Sequence, residues 1–181
     1  MPRLFIALHL PQSVKTGLLR LKMTIPTANW SNESQYHLTL RFLGDIPDVA
    51  VSVIEKALAD IHAHPFEMSL RGVGCFPANI KKPTRVLWAG LSAPQALFDL
   101  QQAVELAMID AGFGKEDKPF NPHITVARLK TDVPLPAVEQ FLKNNHGYES
   151  ESFSITEFSL VESLLSPSGA KYSDRKIFKI G

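Results

Sequence analysis

Hydrophobic positions along this chain recur with two spacings, one strand-like and one helical, and the two alternate. Leu4 to Leu10 is a short apolar run, a buried strand that Pro11 ends. Val14, Leu18 and Leu21 then recur at helical spacing, predicting a helix from about Pro11 to Met23. After a loop carrying Trp30, Tyr36 to Leu43 returns to strand spacing and closes at Gly44-Asp45. Val49, Val53, Ala57 and Ile61 predict the buried stripe of a second helix starting near Asp48. Phe66, Met68 and Leu70 alternate with Glu67, Ser69 and Arg71, as in a half-buried strand, and Arg85 to Leu91 is another strand. Between them, Phe76 to Thr84 holds two prolines and two lysines and is read as a loop.

The second half repeats this order. Ser92 and Gln95 have the spacing of a capping box. Leu97, Leu100, Val104, Ala107 and Ala111 form a helical stripe that Gly112 ends. A polar loop, Phe113 to Pro122, leads into a strand from His123 to Leu129. Pro136 to Asn145 predicts a short helix with Val138, Phe141 and Leu142 buried. Ser152 to Glu162 is a strand, Ser166 to Ala170 a turn, and Lys171 to Ile180 the last strand. Each half thus reads helix, strand, helix, strand, strand. This is an internal repeat of element order, not of residue identity. It predicts an α+β fold within one domain, 1–181, of two pseudo-symmetric lobes, roughly 1–91 and 92–181. Each lobe would hold an antiparallel-rich sheet and helices, with a cleft between them.

The chemistry sits on the corresponding strands of the two halves. His37-Leu38-Thr39-Leu40 and His123-Ile124-Thr125-Val126 both read His, aliphatic, Thr, aliphatic, and the two histidines are 86 residues apart. Side chains alternate faces along a strand, so His37 shares a face with Thr39, and His123 with Thr125, while the aliphatic residues turn into the core. Two such strands facing each other would surround one small volume with two imidazoles and two hydroxyls. That set suits a phosphodiester. The hydroxyls hold non-bridging oxygens, one imidazole deprotonates the nucleophile, and the other protonates the leaving oxygen. Neither a metal nor another cofactor is required. No carboxylate near either motif shares its face at ligand spacing, since Asp45 follows Gly44 beyond the strand end. One such motif has little weight; two, at matching points of the halves, carry the reading.

Composition narrows the partners. The net charge of the 181 residues is +1, which argues against the many phosphate contacts of strong duplex binding. RNA 3′ ends or nucleotides remain as partners. The single cysteine, Cys75, excludes an internal disulfide and a multi-cysteine zinc site, and it reads as a small core residue. There is no signal peptide or membrane-spanning run, so a cytoplasmic protein without membrane partners is expected, and nothing suggests an obligate interface beyond a monomer.

These residues resemble the 2H phosphoesterase superfamily, and more specifically its RNA 2′,3′-cyclic phosphodiesterases, also called 2′-5′ RNA ligases. The resemblance spans most of the chain. It rests on Arg3 to Ala7, on the first motif with Phe42-Leu43-Gly44, and on Pro119-Phe120 and Pro122 leading into the second motif with Ala127-Arg128. It also includes Phe158, Leu160, Glu162-Ser163 and Tyr172. It implies a bilobal α+β fold and hydrolysis of a 2′,3′-cyclic phosphate at an RNA 3′ end to a 2′-phosphate. His37 would be the proton donor, His123 the proton acceptor, and Thr39 and Thr125 the phosphate-holding hydroxyls. The same site could join a cyclic phosphate to a 5′-hydroxyl, forming a 2′-5′ bond, with each histidine swapping its proton role. The resemblance also implies a phosphate-binding Arg128, although strict alternation turns residue 128 away unless a bulge re-aims it. Arg41 has the opposite standing, since parity puts it beside Thr39. Ser163 is a further phosphate candidate by family analogy.

Phe5, Phe76, Trp88 and Tyr172 are candidates to stack on a terminal base. Lys81, Lys82 and Arg85, with Lys171, Arg175, Lys176 and Lys179, form basic clusters that read as a path for an RNA backbone or as a solvated face. His9, His62, His64 and His146 lack a threonine partner and stand outside the motif. Two other readings keep the same residues: a phosphodiesterase for small cyclic nucleotide phosphates such as ADP-ribose 1″,2″-cyclic phosphate, and a non-catalytic nucleotide or RNA-binding module.

Overall fold

The computed structural model describes residues 1–80, 82–130, 133–166 and 169–181. Lys81, part of one basic cluster, and the centre of the turn expected at Ser166 to Ala170 lie outside the described residues. The elements follow the predicted order. They are β1 (Arg3–His9), α1 (Gln12–Leu18), β2 (Asn29–Trp30), β3 (His37–Asp45), α2 (Asp48–Ala59), β4 (Phe66–Phe76), β5 (Val86–Ser92), α3 (Gln95–Asp110), β6 (Ile124–Arg128), α4 (Leu135–Asn145), β7 (Phe153–Ile155), β8 (Glu157–Ser166) and β9 (Gly169–Lys179). Short 3₁₀ turns follow α1 at Leu19–Leu21 and precede β3 at Glu33–Gln35.

Nine strands form two sheets among the described residues. One has the order β3-β1-β8-β9 and the other β2-β6-β5-β4-β7, and every ladder between named strands is antiparallel. The fold is therefore the expected α+β type with two related sheets. The lobes, however, are not the sequence halves 1–91 and 92–181. β4 and β5 lie in the first half but share a sheet with β6 and β7 of the second, and β8 and β9 lie in the second half but complete the sheet of β1 and β3. The two-fold correspondence survives this exchange, with β3, β1 and β8 in one sheet matching β6, β5 and β4 in the other. Each half closes the other's sheet, a long-range choice of partner that local periodicity does not encode.

One contiguous hydrophobic core joins the helices to the inner faces of both sheets. Leu4, Ile6 and Leu8 of β1, Leu38 and Leu40 of β3, and Ile124 and Val126 of β6 are all within it. Two local expectations fail. In α2 the buried stripe is Val51, Ile54 and Leu58, whereas Val49 is 85% exposed and Val53 48%. Both stripes are apolar at helical spacing, and packing chooses between them. The Ser92–Gln95 capping box does not form, because Pro94 precedes α3 with no side-chain cap and Gln95 Nε2 instead donates to Asp99 Oδ1 at 2.9 Å. No helix among the described residues is long and apolar enough to cross a membrane.

Candidate active site between the motif strands

The motif strands are brought together by a short connection. β2 pairs with β6, Ser31 then donates its N–H to the Val126 carbonyl at 2.9 Å and its Oγ to the Thr125 carbonyl at 3.2 Å, and the 3₁₀ turn Glu33–Gln35 leads directly into β3. β3 therefore leaves the edge of one sheet already beside β6 of the other.

Each histidine is oriented by the same device. His37 Nδ1 lies 2.8 Å from the carbonyl oxygen of Gln35, and His123 Nδ1 lies 2.7 Å from that of Asn121. A carbonyl only accepts, so each Nδ1 carries the proton and each Nε2 is the exchanging nitrogen. Neutral, Nε2 takes a proton; charged, it gives one. Gln35 is itself fixed, since its Oε1 accepts from Asn32 N–H at 3.0 Å and its Nε2 donates to the Ala170 carbonyl at 3.0 Å. The structure thus does contain a capping contact, at Asn32 and Gln35, three residues apart in the expected pattern of polar types.

Aromatic walls hold the imidazoles. His37 sits 4.8 Å from the Phe5 ring and 5.0 Å from Tyr172, the latter edge-on. His123 meets Phe76 edge-on at 4.9 Å and Trp88 at 6.5 Å. Of the four stacking candidates, Phe5 is only 3% exposed, so it has no free face for a base and serves as the wall behind His37. Phe76 and Trp88 tilt against each other at 5.5 Å. Gly74, opposite Trp88 in the ladder, makes room for this ring: a Cβ there would fall 2.1 Å from it. Ser163 and Tyr172 are directly opposed between β8 and β9, and both are half-buried on the His37 side of the cleft.

The two arginines separate cleanly. Ala7 and Ile6 of β1 pair with Thr39 and Arg41, so Leu40 is an extra residue, and Trp88 and Leu87 of β5 pair with Thr125 and Ala127, so Val126 is another. Both motif strands carry a bulge at the corresponding position. A bulge reverses which residues face a given side. Beyond Val126 it buries Ala127 and turns Arg128 to the cleft side, where its positive charge opposes protonation of both His37 and His123. Beyond Leu40 it turns Arg41 into the core. Arg41 is 6% exposed there, donating to Glu105 Oε2 at 2.6 Å, to the Glu105 carbonyl at 3.1 Å and to the Gly114 carbonyl. Arg41 is therefore held in an ion pair with Glu105 rather than standing free beside Thr39.

Burial is the main influence on both imidazoles and disfavours their charged forms. It pushes His37 down to about 4, against the opposing effect of the Gln35 carbonyl, with His9, Arg128 and His123 adding to the depression. His123 is lowered by burial too, again with Arg128 contributing and the Asn121 carbonyl opposing. The hydroxyls of Thr39 and Thr125 make no hydrogen bond among the described residues and are free to donate to an anion. His9, absent from the motif pattern, lies directly across the ladder from His37 and pairs with Asp174 at 2.7 Å. The alternation Phe5, Ala7, His9 in β1 is the signal that places it there. Cys75 is 5% exposed, and burial raises its thiol pKa, as suits a core residue. Three of the four basic residues of β9 are ion-paired, Arg175 with Glu162 at 3.0 Å, Lys176 with Glu55 at 3.4 Å, and Lys179 with Glu157, and Lys171 is the fourth.

The fold and the paired His-x-Thr strands are those of the 2H phosphoesterases. The 2′-5′ RNA ligase superfamily matches residues 23–166. An RNA 2′,3′-cyclic phosphodiesterase of Archaeoglobus fulgidus is 32% identical over 98% of this chain and 99% of its own length, and one of Methanothermobacter thermautotrophicus is 29% identical over 98% of each. Among solved structures, LigT of E. coli complexed with 3′-AMP covers 99% of this chain and 98% of its own, at TM-score 0.81 and 23% identity. A Thermus thermophilus structure covers 98% and 97%, at TM-score 0.79 and 29% identity. The chain belongs to the 2′-5′ RNA ligase superfamily and, within it, to the family of the RNA 2′,3′-cyclic phosphodiesterases.

Proposed function

We propose that this protein hydrolyses the 2′,3′-cyclic phosphate of RNA 3′ ends to a 2′-phosphate by metal-independent acid–base catalysis. The observation that carries the reading is the matched orientation of the two imidazoles, each holding its Nδ1 proton on the carbonyl two residues before it and keeping Nε2 for exchange. His123 Nε2 takes a proton from water as the water oxygen bonds to phosphorus. The bond from phosphorus to the ribose 3′-oxygen breaks, and His37 Nε2 gives that oxygen its proton. Thr39, Thr125 and Arg128 hold the non-bridging oxygens, and these charge-assisted contacts strengthen as negative charge builds on the phosphoryl group. A 5′-hydroxyl in place of water would yield a 2′-5′ linkage by the same proton transfers. Ion pairing along β9 favours recognition confined to the RNA end over a long backbone track.

The test is single substitution. His37→Ala and His123→Ala should each lower kcat by roughly 10² to 10⁴, the typical worth of a positioned acid or base, with unfolding midpoints still measurable. Normal turnover in either variant would remove that histidine from the chemistry and return weight to a binding module.

A further inference from the structure

We propose that Phe42 is the stacking platform for the terminal nucleobase, so that the site selects a nucleoside cyclic phosphate over a base-free one. The inference rests on the phosphodiesterase reading above and names the part of the substrate that reading leaves unheld. Phe42 stands five residues after His37, as Arg128 stands five after His123. The matching bulges at Leu40 and Val126 give the two positions the same standing in their sheets. On one side of the cleft that position holds a cation for phosphate, and on the other an aromatic ring.

Phe42 pairs with Phe5 across the ladder, with ring centroids 5.9 Å apart, and Phe5 in turn backs His37 at 4.8 Å. Phe42 is therefore on the His37 side of the cleft. The oxygen protonated by His37 belongs to the ribose, so the sugar and its base must lie on that same side. Among the described residues Phe42 is the most exposed aromatic, at 61%, while Phe5 is buried and Tyr172 is engaged edge-on with both Phe5 and His37. A groove of about 180 Å³ opens beside it, bordered by Arg41, Leu43, Phe113, Lys115, Glu116 and Asp117, with room for a base against the ring. Aromatic stacking tolerates any base, because every base has a π-face.

The test is calorimetric binding of adenosine 2′-phosphate and of inorganic phosphate to the full chain and to Phe42→Ala and Phe42→Trp. Phe42→Ala should weaken adenosine 2′-phosphate by about tenfold, within the range known for base–aromatic stacking. Phe42→Trp should retain the nucleotide, and phosphate affinity should be the same in all three. Equal nucleotide affinity in wild type and Phe42→Ala overturns the inference while leaving the phosphate site standing. Equal loss of phosphate and nucleotide in Phe42→Ala would also overturn it, by assigning the ring to the phosphate site's structure. Wild-type protein that binds neither ligand would overturn the phosphodiesterase reading first and the stacking with it.

Discussion

The depressed imidazoles make a specific demand on the pH dependence of the free enzyme. The perturbation is pH itself. Competent enzyme has His37 charged and His123 neutral, and a phosphodiester keeps its single charge throughout the working range. With His37 lowered to about 4, only roughly one molecule in a thousand carries that proton at pH 7. His123 is also lowered, so the competent form peaks between the two values, below the ordinary imidazole pKa of about 6.5. The profile of kcat/KM, which reports the free enzyme, should therefore be a bell with its maximum on the acid side of about pH 6.5, falling about tenfold per unit above it. In the complex a bound phosphate anion favours both imidazolium forms, so the kcat profile should be displaced to higher pH. The assay is initial rates on a short RNA ending in a 2′,3′-cyclic phosphate, from about pH 4.5 to about 9 at constant ionic strength. A kcat/KM that stays flat or rises from about pH 6.5 to about 8 would refute the reasoning.

Two further predictions separate structural from functional side chains. Arg41→Met leaves the half-buried Glu105 with only the Glu116 N–H as a partner and should cost up to about 3 kcal/mol in chemical denaturation with little change in kcat/KM of the folded protein, whereas Arg128→Ala, at an exposed position, should leave stability nearly unchanged and reduce kcat/KM; the reverse pattern would contradict the bulge assignment. Gly74→Ala places a Cβ inside the Trp88 ring, so it should destabilise by about 1 to 3 kcal/mol and lower kcat through the displaced wall beside His123; wild-type melting and turnover would show that the contact is soft.

Much of this arrangement is legible in the sequence because strand alternation is a local rule. It puts His37 with Thr39 and His123 with Thr125, and it hides the aliphatic neighbours in the core. The same rule misplaces Arg41, because one extra residue at Leu40 reverses every face beyond it. In the second strand the signal is visible in retrospect: Val126 and Ala127 are consecutive apolar residues, both buried, where alternation demands one outward. In the first strand a charged residue, Arg41, occupies the inward position, and its partner Glu105 is supplied by α3. Phe42 is lost to the same cause, since without the bulge it reads as a core residue. The phase of α2 and the exchange of β4 and β8 between the sheets depend on contacts distant in sequence, and periodicity carries no information about those.

The central claim is tested most directly by product analysis. Purified protein, with EDTA present, is incubated with a short RNA ending in a 2′,3′-cyclic phosphate, and the product end is identified by chromatography against both isomers. The account predicts a 2′-phosphate, formed at an unchanged rate in EDTA. A 3′-phosphate would reverse which ribose oxygen leaves, inhibition by EDTA would restore a metal to the chemistry, and the absence of product would contradict the phosphodiesterase assignment itself.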